Sequence, residues 1–214
     1  MIRRPSVRRV LLAMVAAAAA SAGQAGVIAT GQAPAVRVLL QTDSGPIEID
    51  VDVAHAPVTA ANFLKYVDAG AYDGGGFHRT VRPATEIRKD YPIQVIQAGP
   101  AAGKPGFPAI PLERTSVTGL THVDGAVSMA RSGPDSATSD FFICIGAQPE
   151  LDFGGRRNAD GQGFAVFGRV VSGMDVVRKI QAAPVEGGAN PQALQPRIGI
   201  LKAARKGAAD SRDH

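Results

Sequence analysis

Short β-leaning runs punctuated by glycine and proline recur from residue 36 to residue 202, and the helical period of about 3.6 residues appears only twice. Such a chain has little with which to build a helical bundle; it must bury one face of many short strands. "VRVLLQT" and "IEIDVDV" flank "DSG" as a hairpin, and "FHRTV", "IQVIQAG", "GAVSMAR", "DFFICIG" and "FAVFGRVV" supply further strands. In "APVTAANFLKYVDAG", Ala60, Phe63, Leu64 and Val67 share a helical face that Gly70 can end. In "SGMDVVRKIQAA", Ser172 and Asp175 have the spacing of a capping box. Pro184, Gly187, Gly188, Pro191 and Pro196 predict a long loop before a closing strand over 197–202. No repeat appears, and 214 residues with 25 Gly and no Trp suit one turn-rich domain. The expected architecture is mainly β: a closed antiparallel barrel capped by two helices.

The charge of +4 is concentrated at the start of the chain. Arg3, Arg4, Arg8 and Arg9 precede an apolar run over 10–20, and small residues continue to Ala25. This predicts a secretory signal peptide over 1–25, cut after Ala22 or Ala25, by a general or a twin-arginine route. The run is too short and alanine-rich for stable membrane insertion. Without those four arginines the chain carries 19 basic and 19 acidic residues, which removes the electrostatic support for a nucleic-acid partner. A flexible linker is expected over 26–36, the folded domain over 37–204 and a polar tail over 205–214. Cys144 is the sole cysteine and reads as a small buried hydrophobe.

Common site types are missing. The histidines at 55, 78, 122 and 214 lack ligand spacing, "GxSxG" is absent, and Ser128 lies mid-strand. The glycines of "DGGGF" precede no helix that could hold a phosphate. No metal or cofactor is called for. Strand parity puts Phe77, Arg79 and Val81 on one face of "GGGFHRTV", and turns His78 and Thr80 to the other. His78 then reads as a hydrogen-bonded core histidine, and Arg79 alone as a surface residue.

"FHR", "VIQAG", "GAVSMARSGPDSATSDFFICIG", "LDFGG" and "FAVFGRVVSGMDVVRKI" follow one another in that order. Over residues 37–202 the chain resembles the cyclophilin family of peptidyl-prolyl cis-trans isomerases, particularly its secreted bacterial members. The resemblance implies an eight-stranded antiparallel barrel with a helix over each end and an active groove on its outer surface. It gives Arg79 the role of donor to the prolyl nitrogen and Gln97 that of holding the substrate backbone beside it. Phe142, Leu151, Phe164 and Val95 would line an apolar proline pocket. Ala130, Arg131 and Ser132 would flank the residues before proline. The implied partner is a proline-containing polypeptide, met by a monomer in the bacterial periplasm. The chain also departs from the family pattern. "TVRPATEIRKDYPIQVI" and "FGGRRNADGQG" carry insertions, and Gln94 or Ile93 falls where an aromatic is usual. Asp140 replaces a common Gln and, when ionised, accepts but does not donate. Glu150 replaces the tryptophan that many eukaryotic members use for cyclosporin, so weak cyclosporin binding is expected. Asp140 and Glu150 are the best arguments for an alternative, a non-catalytic module or chaperone that grips proline segments.

Overall fold

A computed structural model describes Met1 and residues 35–207; the rest of the expected signal peptide, most of the expected linker and residues 208–214 lie outside the described residues. The chain divides after Gly31, and the second unit, Gln32–His214, holds all the described secondary structure. Its strands are β1 (Ala35–Thr42), β2 (Gly45–Asp52), β3 (Gly76–Val81), β4 (Val95–Gly99), β5 (Ala126–Met129), β6 (Phe141–Cys144), β7 (Ala165–Ser172), β8 (Val185–Gly187) and β9 (Asn190–Arg205). The helices are α1 (Pro57–Asp68), α2 (Thr115–Thr118) and α3 (Met174–Ala182), with one 3-10 turn at Pro149–Leu151.

The strands run in the order β1-β2-β7-β5-β6-β4-β3-β9, and β9 pairs back onto β1, closing an antiparallel barrel of eight strands. Closure leaves no long edge for another chain to pair with. Val38, Leu40, Ile47, Ile49, Val51, Ile96, Val127, Ile143 and Phe167 point inward and are buried. Phe63 of α1 lies 4.9 Å from Phe167 and 5.4 Å from Phe141, centroid to centroid, so α1 plugs one end of the barrel with its expected apolar face. The Glu113 carboxylate caps α1 from a distant loop, accepting from the N–H groups of Val58 (3.1 Å) and Thr59 (2.7 Å).

Four features differ from the sequence reading. The capping box at Ser172 does not form: Ser172 is still paired in β7, and Gly173, at φ 90°, is the N-cap of α3. A Cβ at Gly173 would lie 2.4 Å from the carbonyl oxygen of Pro46, so the approach of α3 to β2 requires glycine. The expected loop over 184–196 is a β-hairpin, β8 with β9. Proline misled there: Pro196 falls where the β3–β9 register slips between Ala193 and Ile198, and a ladder donor is not needed. The short α2 and the 3-10 turn add to the two helices expected. The fourth difference is a bulge in β3. Phe77 pairs with Ala98 and Arg79 with Gln97, so His78 is an extra residue and parity breaks there. Phe77 belongs to the barrel interior, whereas Val81 packs in a second apolar cluster with Val95, Phe142, Cys144, Leu151 and Val166. His78 is not a core histidine; it is half-buried, with Nε2 3.6 Å from the Asp140 carboxylate.

Candidate active site

The second apolar cluster lies on the outer face of the barrel, where β3, β4 and β6 run side by side. The register sets Arg79 opposite Gln97 and Gln97 opposite Phe142, so alternate residues of three neighbouring strands present one surface. β3 can be squeezed between β4 and β9 because its first residue is Gly76; a Cβ there would meet the Ile198 carbonyl oxygen at 2.5 Å.

On this surface lies a cavity of about 190 Å³, lined by Arg79, Ile93, Val95, Gln97, Ala130, Arg131, Phe142, Leu151, Arg157, Asn158 and Phe164. Phe142 and Phe164 meet edge to face at 5.3 Å, while Leu151 is brought in by the 3-10 turn. Arg131, itself part of the lining, stiffens the rim. Its Nε donates to the Gly163 carbonyl (2.7 Å), its Nη groups grip the Asp160 carboxylate (2.7 and 2.9 Å), and its guanidinium covers Phe164. Through those hydrogen bonds the Asp160 carboxyl is held down at about 2.

Of the three arginines that line this cavity, Arg79 is the one whose guanidinium donates to no carboxylate. Its Nη1 donates to Gln97 Oε1 (3.0 Å), and its Nε and Nη2 donate to Gln192 Oε1 (3.0 and 2.8 Å). Both acceptors are neutral amides, so no carboxylate cancels the charge. Burial, then the charge of Arg157, draws its pKa down, with Glu86 pulling the other way; a guanidinium nonetheless stays protonated. Three of its five N–H donors are used in this way. Gln97 in turn donates from Nε2 to Asp140 Oδ2 (3.3 Å).

The cavity thus brings together Arg79, Val95, Gln97, Ala130, Arg131, Phe142, Leu151 and Phe164, eight of the ten residues that the family resemblance singles out. Asp140 stands behind Gln97 rather than in the wall, and Ser132 is exposed outside it, its N–H bonded to Ser136 Oγ. Of the pair left open at the usual aromatic position, Ile93 lines the cavity and Gln94 does not. Sequence reasoning misses Arg157 and Asn158, which sit in an insertion, and Gln192, which sits in the segment read as a loop. It also misses a buried prop behind Phe142. The His122 ring stacks on Phe142 at 5.9 Å, with Nδ1 2.7 Å from Asp152 and Nε2 3.0 Å from Ser128 Oγ. That Ser-His-Asp order resembles a nucleophilic triad, but Ser128 and His122 are 0% and 1% exposed, so no substrate reaches the hydroxyl. Cys144 is sealed in the same cluster, its thiol pushed up by burial.

The two insertions meet at the cavity's edge. Arg157 donates to Glu86 (2.9 and 3.2 Å) and to the Tyr91 carbonyl (2.7 Å), and the pair is 9% and 2% exposed. Burial pushes the Glu86 carboxyl up, but the N–H groups of Arg88 and Ile93 and the Arg157 guanidinium outweigh it, leaving it below the usual range.

A family model for cyclophilin type peptidyl-prolyl cis-trans isomerase/CLD matches residues 37–205. Peptidyl-prolyl cis-trans isomerase A of Dickeya dadantii is 36% identical over 182 residues, 84% of this chain and 87% of its own. A peptidyl-prolyl cis-trans isomerase of Acinetobacter baylyi is 39% identical over 150 residues, 69% of this chain and 72% of its own. In fold, the chain is similar to a cyclophilin type isomerase of Cryptosporidium parvum, with a TM-score of 0.63 at 20% identity over 81% of this chain and 99% of that one. The same parasite protein has also been solved in the presence of the dipeptide Ala-Pro. By its matched domain, its relatives and its closed barrel, this chain belongs to the cyclophilin-type peptidyl-prolyl cis-trans isomerases.

Proposed function

We propose that Arg79 accelerates rotation about X–Pro bonds by donating to the prolyl nitrogen when the amide is twisted. Peptide-bond rotation faces a barrier of about 18–20 kcal/mol because the nitrogen lone pair is delocalised into the carbonyl. At the twisted geometry that delocalisation is lost and the nitrogen becomes an acceptor. A donor aimed at it stabilises the transition state and leaves the planar ground state untouched. Val95, Phe142, Leu151 and Phe164 hold the pyrrolidine ring and exclude water while the carbonyl side turns, and each ~1.4 kcal/mol so gained is tenfold in rate. One observation carries this reading. A charged guanidinium shares one cavity with the apolar side chains of Val95, Phe142, Leu151 and Phe164, held by two neutral amides, with two N–H groups that have no acceptor among the described residues.

The test is Arg79→Ala in a protease-coupled isomerisation assay on an X–Pro peptide. At matched folded fraction the variant is expected to lose activity by about a hundredfold or more. Undiminished kcat/KM would remove Arg79 from the mechanism.

Proline-containing segments of exported proteins are the substrates we infer, in keeping with the parasite structure solved in the presence of the dipeptide Ala-Pro. The two arguments for a non-catalytic gripping module lose force: neither Asp140 nor Glu150 lines the cavity, and Glu150 is turned to Arg156 at 3.1 Å. That charged pair also disfavours cyclosporin, which an apolar wall at 150 would bind better, and calorimetric titration against Glu150→Trp checks it. A monomer without affinity for nucleic acid completes the reading.

A further inference from the structure

We propose that Gln192, on the β8–β9 hairpin, is a positioning residue that aims the Arg79 guanidinium. The inference rests on the catalytic reading of Arg79. Gln192 is 6% exposed, yet its side chain spends both ends of its amide within one small space. Oε1 accepts from Arg79 Nε at 3.0 Å and Nη2 at 2.8 Å, and Nε2 donates to the Thr85 carbonyl at 3.1 Å. The Thr85 contact settles which way the amide faces. Only the NH2 end can donate to a carbonyl, so the oxygen must be the end that meets Arg79. Thr85 is itself tied down, its hydroxyl bonded to the Thr80 carbonyl (3.2 Å) and accepting from the Arg82 N–H (3.1 Å).

An arginine reaches its target through several rotatable bonds, and one acceptor does not fix its plane. Gln97 takes Nη1 from β4; Gln192 takes Nε and Nη2 from β9. Held from two strands, the planar fork has one orientation, and the unused N–H groups share it. The choice of an amide matters equally. A glutamate at 192 would hold the guanidinium as firmly but would cancel the charge that the twisted amide needs. The first insertion thereby enters the active site: its Thr85 carbonyl orients Gln192, and Gln192 orients Arg79.

The experiment compares Gln192→Leu and Gln192→Glu, each with Arg79 and with Arg79→Ala. It reads kcat/KM, peptide affinity and the Arg79 Nε–H signal in nitrogen-15 NMR. Gln192→Leu is expected to lower kcat/KM about tenfold, with peptide affinity within about twofold and the Nε–H signal moved toward that of a free arginine. Gln192→Glu is expected to keep a protected Nε–H signal and still lose activity, an outcome that a packing role would not produce. With Arg79→Ala present, neither change at 192 should matter by more than about twofold. Full activity in Gln192→Leu, or an equal loss in the Arg79→Ala background, overturns the inference and leaves the arginine reading standing. An active Arg79→Ala enzyme overturns both. Should Gln192→Leu fail to fold, Gln192→Asn, too short by one methylene to reach the guanidinium, is read in the same way.

Discussion

Arg79 is held by oxygens that carry no formal charge, and the groups around it that do titrate stand one step back. His78 is one of these, beside the Asp140 carboxylate to which Gln97 also donates. Burial holds the His78 imidazole below the ordinary histidine value; Asp140 pulls it up, and Arg197 and Arg79 press it down again. The folded chain therefore resists the proton that the unfolded chain accepts. Stability from this residue is complete above about pH 6.5 and declines as the pH falls below that value, until the folded-state pKa is passed. Thermal midpoints followed from about pH 8 to about pH 5 should fall less steeply in His78→Gln than in the parent. An unchanged slope would mean that His78 titrates alike in both states. Little of this was readable beforehand. The bulge that turns His78 out of the core is an extra backbone residue, and nothing in "FHRTV" marks it. Arg79 was found through its neighbours in sequence, Gln192 not at all, because a polar residue between prolines looks like solvent-facing loop.

The strands carry Arg79 and Gln97, but the insertions build one wall of the cavity. Residues 82–93 and 154–163 are joined by the Glu86–Arg157 pair and by Arg88, which donates to the Arg157 carbonyl. Arg88 and Arg156 both lie over the Tyr91 ring. Removing one member of a buried pair strands the other's charge. Arg157→Leu should therefore cost ~3 kcal/mol in urea unfolding, and Glu86→Leu with Arg157→Leu should recover much of it. Equal losses in the single and double variants would show that the pair does not act as a unit. This clasp lies beyond sequence reasoning because its members are 71 residues apart in segments with no period. Helix α1, by contrast, was legible, since Phe63, Leu64 and Val67 repeat on one face and Pro57 sits where a missing N–H costs nothing. The hairpin β8–β9 was not, because Pro191 and Pro196 suggest a broken strand and only the pairing to β3 shows where their missing donors are tolerated.

At the scale of the molecule, the barrel order could be anticipated only through the family resemblance; alternation gave strands, and closure depends on the pairing of β1 with β9, the first and last strands among the described residues. The arginines at 3, 4, 8 and 9 lie ahead of that barrel, and our proposal of export rests on them. Intact-mass measurement on protein from a periplasmic fraction should find a chain beginning at Gly23 or Gly26. A chain retaining Met1 and confined to the cytosol would defeat it. Spontaneous X–Pro isomerisation takes tens to hundreds of seconds, a delay that matters where exported chains fold without ATP. On the export proposal, the protein's clients would include chains whose thiols are not yet paired. Cys144, wholly buried in the apolar cluster beneath the cavity with its proton held tightly, offers them no thiolate to attack or be attacked. It cannot form a mixed disulfide while the barrel is folded, so on the export proposal a client still forming its disulfides would not capture the protein.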